Sequence, residues 1–158
     1  MQLERQTNLS IYKMKQVTRT HMDHLSKEDR SRNMRAIKSK NTMPELIVRS
    51  LLHKEGLRFR LHKTTLPGKP DIVLPKYKTV IFINGCFWHR HEGCRDCTTP
   101  KTNTTYWSEK FSINVDRDKK KIKELELANW RVIIIWECEL KDIPKLRYKL
   151  LNILHIES

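Results

Sequence analysis

Apolar positions along the chain change period several times, and each change predicts an element. Residues 1–22 are polar with scattered basic side chains and no period, which predicts a mobile arm. Met22 opens "MDHLSKEDRS", a credible start, so the chain divides into an extension over 1–21 and one domain over 22–158. "SKEDRSRNMRAIKSK" predicts a surface helix over Ser26–Lys40, capped by Ser26 and thin in apolar residues. "TMPELIVRSLLHKEG" predicts a second helix over Thr42–Gly56. Thr42 and Glu45 have capping-box spacing, Pro44 sits in the first turn, and Leu46, Ile47, Leu51 and Leu52 form the apolar stripe.

The period then shortens. "LRFRLH" (Leu57–His62) alternates like a strand with one wet face. "DIVL" and "YKTVIFIN" predict two more strands, and unbroken apolar Val80–Ile83 suits a central strand buried on both faces. Apolar Val115, Ile122 and Leu125 among lysines predict a half-exposed helix over Asn114–Asn129. "WRVIIIWECEL" predicts a buried strand, and Ile143–Leu154 a last helix. This order predicts an α/β domain: a central mixed sheet with helices packed on it.

Charge changes the picture. The 158 residues carry 32 Lys and Arg against 18 Asp and Glu, a formal net charge of +14. Such an excess suits a polyanion, because each phosphate contact releases counterions. No run reaches transmembrane length and the first residues lack a signal peptide's apolar core, so the expected compartment is the cytoplasm, with no membrane partner. Disulfides are rare there, so clustered cysteines point to metal or catalysis.

The cluster is "NGCFWHRHEGCRDC", Asn84 to Cys97. A structural zinc needs four Cys or His ligands in a tetrahedron. Cys86, His91 and Cys94 offer three, and Cys138 reaches them if the strands ending at Asn84 and Trp136 are neighbours. Cys86, Cys94, Cys97 and Cys138 make a rival set. The plainer reading is buried free cysteines, and a redox dithiol needs a thioredoxin-like context that is missing. Asp71, at the head of a strand after "PGKP", is placed to hold Mg²⁺ against a phosphate, since Mg²⁺ prefers oxygen ligands.

"MRAIKSKNT", "LPGKPDIVL", "VIFINGCFWHRH", "PKTNTTYWSEK" and "NVDRDKKKIKELELANWRVIIIWECEL", in that order, resemble the very-short-patch-repair (Vsr) endonucleases over roughly Met22 to Lys141. The resemblance implies a restriction-endonuclease-like fold with a structural zinc. It implies Mg²⁺-dependent nicking of double-stranded DNA 5′ to the thymine of a T:G mismatch, the lesion left when 5-methylcytosine deaminates. By the same resemblance Asp71 is the metal-binding aspartate and the main-chain carbonyl of Ile83 the second protein ligand. His89 is the catalytic histidine, a general base. Asn84 stands where some members carry a second histidine, and still hydrogen-bonds a phosphate or water. Glu45 matches a carboxylate near the site, so capping and metal-shell readings stand together. The zinc ligands map onto Cys86, His91, Cys94 and Cys138, with Gly93 as an inserted residue and Cys97 as an extra cysteine and rival ligand.

A mismatch costs less to unstack than a proper pair, and apolar wedges pry base steps apart. Phe87, Trp88 and Trp107 match the family's intercalating aromatics, and Met34 approaches from the opposite groove. The plainer reading is that Phe87 and Trp88 pack the loop. Lys and Arg around 117–123 read as phosphate contacts or solvated charge. The family also implies a mismatch-repair matchmaker as partner, and one nick needs one active site, so a monomer is expected. The alternatives are a restriction-type enzyme cutting matched sites and a DNA-binding zinc protein that does not cut.

Overall fold

The structure, a computed structural model, describes Ser26, Arg32 and residues 40–155. The predicted helix Ser26–Lys40 therefore lies largely outside the described residues, and Met34 with it. The stretch from Lys40 onward belongs to one compact unit.

Helix α1 spans Met43–Lys54, and local chemistry sets both of its ends. The Thr42 hydroxyl accepts from the Glu45 N–H, and Glu45 accepts from the Thr42 N–H, a reciprocal capping box. At the other end Gly56 adopts φ +70°. Its N–H bonds the carbonyl of His53, and the Leu57 N–H bonds that of Leu52, which closes a Schellman turn. The buried face is Val48, Leu51 and Leu52. Leu46, expected in the stripe, is 45% exposed, because Val48 takes the inward position.

Strands β1 (Arg60–Leu61), β2 (Ile72–Leu74), β3 (Thr79–Asn84) and β4 (Arg131–Trp136) form one sheet in that order. β1–β2 and β2–β3 are antiparallel, while β3–β4 is parallel and runs from Thr79↔Arg131 to Asn84↔Trp136. A parallel neighbour needs a crossover, and helix α2 (Thr104–Leu127) supplies it. Helix α3 spans Ile143–Leu154, as its pattern predicts.

Alternation along the strands splits the core between the two faces of the sheet. Ile72, Leu74, Ile81, Ile133 and Ile135 pack with α1 and α3 residues such as Leu52, Leu146 and Leu150. Val73 and Val80 pack with Leu125 of α2, joined by Leu66, Phe82 and Val132. The expected mixed α/β sheet with helices is therefore present.

Several boundaries differ from the sequence pattern, and β3 begins at Thr79 rather than Tyr77, which lies in a 3₁₀ turn over Pro75–Tyr77. The alternating Leu57–His62 pairs only at Arg60 and Leu61, both exposed, so β1 is a short edge. α2 begins at Thr104 rather than Asn114. Its N-cap Asn103 is left-handed and makes no side-chain cap bond, and the first turn has no acidic residue, so the usual start signals are missing. β4 stops at Trp136, and Glu137–Lys141 forms a 3₁₀ turn where the pattern extends the strand to Leu140. Among the described residues no helix is long and apolar enough to cross a membrane.

Candidate active site and metal centre

β3 and β4 are parallel and end in register, so the segments after them emerge side by side. Cys86 lies two residues beyond Asn84, and Cys138 two residues beyond Trp136. That register brings distant cysteines together. One ligand atom from each of Cys86, His91, Cys94 and Cys138 lies within 4.8 Å of the others. His91 Nδ1 is 3.6 Å from Cys86 Sγ and 3.4 Å from Cys138 Sγ. Turns at Cys86–His91, His91–Cys94 and Cys94–Cys97 coil the loop around this point. The His91 ring stacks on Trp136 at 4.2 Å and 3°, which fixes its plane. Cys97 is not one of the four that converge.

The four cysteines are free thiols. Burial pushes the Cys86 thiol up to about 12 and raises that of Cys138. Without a cation Cys86 and Cys138 hold their protons, and a bound metal would displace them, while at Cys94 burial is outweighed by the Asp96 backbone bond and the bonds to Cys138 and Cys86, which lower the thiol. The donor set is that of a tetrahedral Cys₃His site, a possible metal centre.

A second convergence lies around Asp71. Its Oδ2 accepts from the Ile83 N–H at 2.8 Å, so the residue just before β2 is tied to the C-terminal end of β3. Burial pushes the Asp71 carboxyl above its ordinary range; the Ile83 bond opposes this, and nearby Glu45 adds to it. Glu45 is buried at the start of α1, where its Oε2 accepts from Arg49 Nη2 at 2.6 Å and from the Asn41 N–H at 3.0 Å. The same carboxylate that closes the capping box thus lies beside Asp71. His62, which the sequence pattern left as the end of a strand, joins them, and the three offer ligand atoms within 4.8 Å of one another. Asn84 ends β3 and is buried.

The sequence points to His89 but not to its partner. His89 Nδ1 lies 2.5 Å from Asp118 Oδ2 on α2. Burial acts upward on the Asp118 carboxyl, but the His89 bond, helped by Arg117 and Lys121, outweighs it and holds the group below the usual range. An ionised carboxylate only accepts, so Nδ1 carries the proton and Nε2 presents a lone pair. Asp118 was hidden inside a run that reads as phosphate contacts or solvated charge. The signal was its place in the series Trp107, Phe111, Asn114, Asp118, which recurs at helical spacing on one face of α2. That face carries the loop. Asn114 Nδ2 donates to the Trp88 carbonyl at 3.2 Å, and Phe111 packs on Phe87 at 5.2 Å.

The aromatics form one cluster. Phe87 meets Trp88 at 5.0 Å and Trp107 at 5.5 Å, edge to face, and all three are half-buried. Arg90 covers Phe111 at 4.4 Å and ties the loop through Thr98 and Thr99.

Residues 22–96 match the family described as DNA mismatch endonuclease Vsr. The type II nicking enzyme V.XorIIP of Xanthomonas oryzae pv. oryzae is 51% identical over 132 residues, covering 84% of this chain and 96% of that protein. The DNA mismatch endonuclease Vsr of Escherichia coli is 47% identical over 120 residues, 76% of each chain. The type II nicking enzyme V.NmeAIP of Neisseria meningitidis is 48% identical over 120 residues, 76% of this chain and 85% of that protein.

Proposed function

The chain belongs to the Vsr family of DNA mismatch endonucleases, and from that premise we propose that it nicks double-stranded DNA 5′ to the thymine of a T:G mismatch, initiating very short patch repair. The observation that carries the reading is the pairing of two sites by β3. Asp71 is bonded near its C-terminal end, at Ile83, and His89 stands on the loop that leaves that end, oriented by Asp118.

Asp71 and the main-chain carbonyl of Ile83 would hold Mg²⁺, with Glu45 in its surroundings; these are the hard oxygen donors that Mg²⁺ takes. Bound there, the ion would supply charge neutralisation at the scissile phosphate and would make a neighbouring water more acidic. His89 Nε2 accepts that water's proton, and Asp118 stabilises the imidazolium as it forms. Asn84 hydrogen-bonds the phosphate or the water. Cys86, His91, Cys94 and Cys138 would hold a zinc, which would pin the loop that carries His89, Phe87 and Trp88 and so position the base and the wedges together. Phe87, Trp88 and Trp107 enter the base step at the mismatch, with Met34 from the other groove. The enzyme acts as a monomer in the cytoplasm, with a mismatch-repair matchmaker as partner.

The test is nicking of an end-labelled duplex in Mg²⁺, with one T:G pair in varied flanking sequence beside a matched T:A control. A single nick 5′ to the mismatched thymine, absent from the control and blocked by EDTA, is the expected result. The names of the Xanthomonas and Neisseria relatives agree with single-strand cutting. Cutting of the matched control would replace the mismatch reading with a restriction-type one, and binding without cutting would replace it with a non-cutting DNA-binding protein.

A further inference from the structure

His62 has no place in the mechanism above, yet three elements bring it to Asp71 and Glu45. It follows β1 directly, and its N–H bonds the Asp71 carbonyl at 3.3 Å, which locks its backbone beside that residue. Its φ is +45°, a left-handed conformation that a non-glycine residue adopts against its preference. The ring nitrogen Nε2 lies 3.6 Å from Glu45 Oε2. One divalent ion with ligand distances of about 2.1 Å spans donor atoms roughly 3–4 Å apart, so modest closure of this trio encloses an ion.

Arg49 shows what the trio lacks. Its Nη2 contacts Glu45 Oε2 at 2.6 Å and His62 Nε2 at 3.0 Å, while its Nε is buried with no hydrogen-bond partner. A guanidinium only donates, so His62 Nε2 is the acceptor here and its proton sits on Nδ1. The lone pair of an imidazole and the oxygens of two carboxylates thus face one space, and a cationic side chain stands against two of them. That is a ligand set with a resident cation in place of a metal.

We propose that Glu45, His62 and Asp71 form a divalent-cation site in which His62 Nε2 is a direct ligand, and that Arg49 is the cation the metal displaces. Mn²⁺ takes carboxylate oxygens as Mg²⁺ does, but as a first-row transition ion it accepts an imidazole nitrogen more readily, so the mixed set favours Mn²⁺ over Mg²⁺. The inference rests on the proposed function only in taking Asp71 as a metal ligand.

The test uses the zinc-loaded full chain and Mn²⁺ as probe. Bound Mn²⁺ is counted by electron paramagnetic resonance, and directly bonded nitrogen is detected by electron spin-echo modulation. The wild type should bind Mn²⁺ with one imidazole nitrogen in its shell, and excess Mg²⁺ should displace it poorly. His62→Gln should lose the nitrogen signal and weaken Mn²⁺ binding about tenfold or more. His89→Gln should keep the signal, and Arg49→Met should tighten binding. A nitrogen signal that survives in His62→Gln overturns the inference, as does Mn²⁺ affinity unchanged in that variant or not increased in Arg49→Met. Loss of Mn²⁺ binding in Asp71→Ala alone, with His62→Gln neutral, overturns it while leaving the proposed function intact. Mn²⁺ binding that survives Asp71→Ala overturns both.

Discussion

Asp118→Asn isolates what the carboxylate does for His89. The 2.5 Å contact to Nδ1 is an acceptor role, and an asparagine amide offers nearly the same shape. Its NH₂ can donate to Nδ1, which moves the imidazole proton to Nε2 and removes the lone pair facing the water. The imidazolium also loses its counter-charge. A positioned general base contributes about 10²–10⁴-fold, or roughly 2.7–5.4 kcal/mol, and the variant should lose most of that. The fold should barely respond. The two side chains are 25% and 21% exposed, so their pairing is worth at most about 1 kcal/mol of stability. Its sign with pH follows from a depressed carboxyl: the contribution is present above the unfolded value and fades as pH falls through the lower folded value. The assay is single-turnover nicking of the T:G duplex from pH 5 to 9, with duplex affinity and thermal unfolding measured beside it. Rate loss with unchanged affinity and an altered pH profile is the expected outcome. An unchanged rate across that range would refute the positioning argument, and equal loss of rate and stability would reduce Asp118 to a packing residue.

Three further outcomes follow from the same geometry. Asp71→Asn should abolish nicking yet stabilise the protein at neutral pH without added Mg²⁺. Its raised carboxyl ionises more readily unfolded, so the wild-type penalty grows above the unfolded value; an unchanged or lower melting temperature would contradict this. Cys138→Ala should reduce bound zinc from one per chain to nearly none and loosen the loop after β3, as read by elemental analysis and proteolysis. Retained zinc would transfer the ligand role to Cys97. Trp88→Ala should lower the preference for T:G over matched duplex more than nonspecific affinity, and equal losses would make it a packing residue.

Local interactions made much of this protein readable from sequence alone. Thr42, Glu45 and Gly56 bound α1 through contacts within a few residues. The apolar run through β3 places it in the sheet because a strand flanked on both faces tolerates little else. Cys86, His91, Cys94 and Cys138 could be grouped because three are close in the chain and the fourth follows an equally apolar strand. Family resemblance then assigned roles to those residues and to Asp71 and His89.

Tertiary structure decided what depends on register and on faces. The parallel pairing Asn84↔Trp136, with Cys86 and Cys138 each two residues beyond it, selects Cys138 as partner and leaves Cys97 aside. Asp118 meets His89 because a 24-residue crossover helix lays one face along the loop, and α2 itself begins ten residues before the apolar pattern predicts it. His62 reaches Glu45 and Asp71 only because a short antiparallel edge folds back beside α1. Caps and periods are written in neighbouring residues. These meetings join residues beyond the reach of a cap or a period, and only packing of the sheet against its helices sets their distances.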